Sequence, residues 1–97
     1  MTTEEFTREI ERVRNAISQH MVDRRAGARG PGTSEELDFI YEQLGQLIEQ
    51  VSWGQVPPVE DRWLSSADIV TDGWDLSDPL GEAIARLNYL YRHELVG

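Results

Sequence analysis

Between positions 37 and 51, Leu37, Ile40, Tyr41, Leu44, Leu47, Ile48 and Val51 occupy every position expected of one face of an α-helix. A stripe of this kind cannot stay in water, so the pattern dictates both a helix and a partner layer to cover it. The flanking residues agree. Thr33 stands three residues before Glu36 in capping-box spacing, with Ser34 as an equally good cap. Gly54 suits the position just past a helix end, and Pro57-Pro58 prevents resumption before that point. The spacing therefore predicts a helix over 35–52.

Two further stripes can supply the partner layer. Phe6, Ile10, Val13 and Ile17 recur at steps of four, three and four behind Thr2 and Glu5, which again stand in capping-box spacing. A first helix over Thr3–Arg25 follows, closed by the glycine-rich stretch Ala26-Gly27-Ala28-Arg29-Gly30-Pro31-Gly32, read as a flexible connection. Near the other end, Asp78 can cap a helix with Pro79 in its first position, followed by the broad apolar face Leu80, Ala83, Ile84, Leu87, Leu90, Tyr91 and Leu95. The expected fold is one all-α domain spanning residues 1–97: a small bundle of three to four helices, up and down, with a short helix or ordered acidic loop at about 58–78 between the second and last long helices. Within that segment a short helix is expected over 58–66. Residues 67–78 read as a loop or as two three-residue strands, Ile69-Val70-Thr71 and Trp74-Asp75-Leu76, about an Asp72-Gly73 turn.

Charge narrows the function classes. The net charge of −9 is unevenly distributed. Residues 1–32 carry six arginines against five acids, residues 33–85 carry twelve acids against the single Arg62, and residues 86–97 carry two arginines against one acid. A middle segment at −11 repels phosphate backbones and anionic lipid and attracts basic protein surfaces. Direct nucleic-acid and membrane binding are therefore not expected. No apolar run approaches a membrane span, the start lacks the features of a secretory signal, and a cytoplasmic location is the expectation. With no cysteine there is no disulfide framework or thiol chemistry.

Motifs for catalysis or cofactors are missing at the level of spacing. Asp68, Asp72, Asp75 and Asp78 fail as a calcium loop, because aligning Asp72-Gly73 with the central turn places Pro79 where the closing bidentate Glu belongs. His20 and His93 stand in no metal-pair spacing and read as structural. The glycine-rich stretch follows a helix and lacks Lys-Ser or Lys-Thr, so it is not a phosphate loop; with Arg24, Arg25 and Arg29 it forms the one local basic patch. No nucleophile elbow is present, and pairs such as Glu60 with Asp61 lack an evident pocket to separate their pKa values. Neither an enzyme, nor a cofactor, nor a metal site is expected.

The aromatic residues carry the positive signal. Phe39 falls on the polar side of the second helix, beside Glu42, Gln43, Gln46 and Gln50, while Trp53, Trp63 and Trp74 lie outside the long helices. Tryptophans in such places can close bundle ends, or can anchor an interface ringed by acids. The expected partner-binding set is Phe39, Glu60, Asp61, Trp63, Asp68, Asp72, Trp74, Asp75 and Asp78, taken up by a basic partner protein. In length, acidity and helical content the chain is similar in general character to the small bacterial immunity proteins that neutralise nuclease toxins by occluding a basic cleft, a likeness carried by no motif. The function expected is that of a non-enzymatic inhibitor, immunity protein or antitoxin; the alternative is a helical oligomerisation or structural subunit. Monomer and homodimer are both compatible with the sequence.

Overall fold

The computed structural model describes residues 1–75 and 77–96. Four helices, α1 (Thr3–Arg25), α2 (Ser34–Ser52), α3 (Ser65–Gly73) and α4 (Pro79–Tyr89), are joined by a 3-10 turn at Val59–Asp61, and α4 continues into a π-helical turn at Leu90–Glu94. Both capping boxes form: Thr2 with Glu5 opens α1, and Thr33 with Glu36 opens α2. The Asp78 carboxylate accepts from Leu80 and Gly81 to open α4, with Pro79 in the first turn.

α1 and α2 form an antiparallel pair, with Thr3 beside Val51 at one end and Met21 beside Leu37 at the other. Halfway along, the Arg14 guanidinium lies 3.8 Å from the Tyr41 ring centroid and donates from Nε to the Tyr41 carbonyl at 3.0 Å. Gly45 makes the space, since a Cβ there would sit 2.7 Å from an Arg14 nitrogen. α4 runs antiparallel to α1, from Leu80 near His20 to Tyr91 stacked on Phe6 at 5.7 Å. The ends of the chain meet there, where Val96 donates its amide to the Met1 carbonyl. The shared core comprises Phe6, Ile10, Val13 and Ile17 with Leu37, Ile40, Leu44, Leu47 and Val51, closed by Ile84, Leu87, Leu90, Tyr91 and Leu95.

The segment after α2 differs from the sequence expectation. The helix expected over 58–66 is only the 3-10 turn, because Arg62 is extended and its side chain turns inward. Residues 67–75 are neither hairpin nor loop but most of α3 and its exit, with Ala67 and Val70 buried between α2 and α4. Leu76, assigned above to the second strand, lies outside the described residues. The helix wins because Leu64, Ala67, Val70 and Trp74 share one apolar side that two neighbours cover. Its first amides are satisfied from elsewhere in the fold: Asn88 Oδ1 accepts from the Leu64 amide at 3.0 Å, and Gln43 Oε1 accepts from the Ser66 amide at 2.9 Å and from the Ser66 hydroxyl.

The connection from α1 to α2 is likewise tied down rather than loose. One Arg24 nitrogen donates to the carbonyls of Gly30, Pro31 and Gly32 at 2.9, 3.2 and 2.7 Å. Gly32 has φ of +82° and lies against the Trp74 ring, so it answers both a backbone and a packing requirement.

Candidate partner-binding surface

Of the nine residues expected to form one binding face, the structure engages Trp74, Asp75 and Asp78 in the fold's own contacts. Trp74 is only 8% exposed and belongs to the core, wedged between Gly32 and Gly81, so it cannot serve as a surface anchor. Its indole N–H is buried and has no hydrogen-bond partner among the described residues. Asp78 is spent on the α4 cap, and the Asp75 carboxylate accepts from the Ser77 amide at 2.9 Å and hydroxyl at 2.7 Å. The backbone hydrogen bond from Ser77, followed by that from its hydroxyl, holds the Asp75 carboxyl below the usual carboxylate range.

Trp63 is half exposed, but Asp68 accepts its indole N–H at 2.7 Å and Arg92 covers its ring at 4.8 Å. Glu60 and Asp61 sit on the 3-10 turn, and Asp72 on the outside of α3, all exposed. Asp72 is thus left exposed without an exposed tryptophan at position 74 beside it.

Phe39 is where the polar-face argument placed it, 48% exposed on the outside of α2. Trp53, which the expected set omitted, is the most exposed large apolar residue among the described residues, at 75%. Its amide donates to the Glu49 carbonyl at 3.0 Å, so it still follows the register of α2. Gly54, at φ of +73°, then turns the chain away. The omission has a simple cause: position 53 directly follows the helix expected over 35–52 and reads as linker, although counting on by seven from Phe39 and Gln46 reaches it.

The outside of α2 carries Glu35 and Asp38 before Phe39, and Glu42 and Glu49 between Phe39 and Trp53, all exposed. Among the described residues the one ion pair is Glu9 with Arg12, at 3.5 Å and on α1. α2 has no basic residue in its last turn, leaving Glu49 at the negative end of the helix dipole.

The remaining surface is less specialised. An open, mainly apolar groove of ≈ 480 Å³ lies between the end of α1 and the start of α4, and the His20 imidazole beside it has Nε2 3.3 Å from the Pro31 carbonyl. His93 is exposed and tilts against Tyr89 at 4.8 Å. Among the described residues, no three histidine, aspartate or glutamate side chains group as a metal ion requires, and no helix is long and apolar enough to cross a membrane. The chain matches no family model, no curated protein and no solved structure.

Proposed function

We propose that this protein is an acidic helical module that docks onto a basic surface of a partner protein. One observation carries the reading: among the described residues, four carboxylates on the outside of α2 have no cationic neighbour within ion-pair distance, and the exposed aromatics Phe39 and Trp53 bracket two of them, Glu42 and Glu49. Unpaired like charges on one helix repel one another, and a basic partner relieves that repulsion on binding. A partner whose activity depends on its own basic cleft would be blocked when covered, which is how an inhibitor, immunity protein or antitoxin acts. The alternative of a self-associating subunit gains nothing from this face, because two copies of it would oppose acid to acid.

The test is association kinetics with the protein recovered on an affinity column bearing this chain. A basic partner is expected, with an association rate that falls steeply as ionic strength rises. A neutral or acidic partner, or a rate indifferent to salt, would overturn the reading.

A further inference from the structure

Along the outside of α2, Glu35, Phe39, Glu42, Gln46, Glu49 and Trp53 follow one another at steps of four, three, four, three and four. That is the spacing of a coiled-coil seam, here facing solvent on the side opposite the core stripe. The six positions split into two rows of seven-residue period. Glu35, Glu42 and Glu49 form an acidic row; Phe39, Gln46 and Trp53 form a row with an aromatic at each end.

On an α-helix each row drifts by only about 20° per seven residues, the inclination a second helix follows when it packs at a shallow left-handed crossing. The seam extends about 27 Å, or five helical turns. We infer that it receives an amphipathic helix of the basic partner, with arginine or lysine recurring every seven residues to meet the three glutamates and apolar residues to meet Phe39 and Trp53. This inference rests on the reading of the chain as a module for a basic partner, and it specifies what the partner presents.

Three observations favour that occupant. The seam is fully outside the bundle, so a helix can lie along it without displacing any element. Glu49 stands at the unfavourable end of the helix dipole with no basic residue in that turn, and among the described residues Arg14 of α1, which lines the same hollow, forms no ion pair with it, so an opposing cation would remove a cost the isolated fold leaves in place. This chain also has no two arginines seven positions apart, so a second copy offers no complementary row.

The probe is a synthetic helical peptide of about 21 residues with three arginines at seven-residue spacing and leucines on the same face. Its control has identical composition with the arginines dispersed around the helix. Titration calorimetry at low salt is expected to show the spaced peptide binding about ten-fold tighter than the control. Phe39→Ala and Trp53→Ala should each weaken it by about ten-fold with the helical spectrum unchanged, and Glu42→Gln with Glu49→Gln should flatten its salt dependence.

Equal binding of the two peptides, or indifference to the α2 variants, would overturn the seam. If binding instead responds to Glu60→Gln and Asp72→Asn, the seam is wrong while the reading of a basic partner survives. Failure of both peptides and of polyarginine to bind at low salt would overturn both.

Discussion

Trp74 shows how one residue's role depends on contacts far away in sequence. Its neighbours Asp72, Asp75 and Asp78 make it look like an acid-ringed anchor, but its place is decided by the core and by Gly32, whose missing Cβ leaves room for the ring. Trp74→Ala is therefore expected to destabilise the fold by about 3–5 kcal/mol, whereas Phe39→Ala on the exposed side of α2 should cost less than about 1 kcal/mol; urea unfolding of the two variants checks the contrast. Tyr91 offers a second residue-scale test. Burial raises its phenol pKa above the ordinary 10.0, and the nearby Arg62 charge opposes the rise only in part. The neutral phenol is thus favoured in the folded state. Its contribution is fully present below pH 10 and is lost as pH climbs through the raised value, because the unfolded chain releases that proton first. Thermal melts between pH 9 and 11 should show this fall in the native chain and a shallower one in Tyr91→Phe.

The elements differ in where their instructions lie. α1, α2 and α4 carry their own caps and stripes, and were legible, α1 and α2 with bounds close to those observed and α4 at its start. α3 was not, because its cap residue Leu64 has no side-chain acceptor and its first amides bond to Asn88 of α4 and Gln43 of α2. The β-branched run Ile69-Val70-Thr71 then favours a strand until two neighbouring helices are present to cover Val70. Gln43→Ala should therefore uncap α3 from a distance, at a cost of about 1–2 kcal/mol. Amide exchange over 65–73 should quicken in that variant while α1 keeps its protection. Exchange that quickens uniformly would mean that α3 has no separate stability.

At the scale of the molecule, the same division applies to the candidate site. The acidity of residues 33–85 and the polar setting of Phe39 were legible, whereas the loss of Trp74, Asp75 and Asp78 from the expected face was not: a cap and a turn consume the two carboxylates, and a packed core consumes the tryptophan. Arg62 shows most clearly what pattern alone conceals. Only 3% exposed, it donates to the carbonyls of Pro57, Tyr91 and Leu95 at 2.9, 3.2 and 2.8 Å, so backbone dipoles rather than a carboxylate offset its buried charge. That arrangement makes the chain its own unfolding gauge. With no lysine, every internal trypsin site follows an arginine, and Arg62 is the only arginine of the nine that is buried. A protease must dismantle the joint between the middle and the end of the chain before it can cut there. In a digestion time course under native conditions, cleavage after Arg62 should come last, at a rate that tracks global opening rather than local fraying.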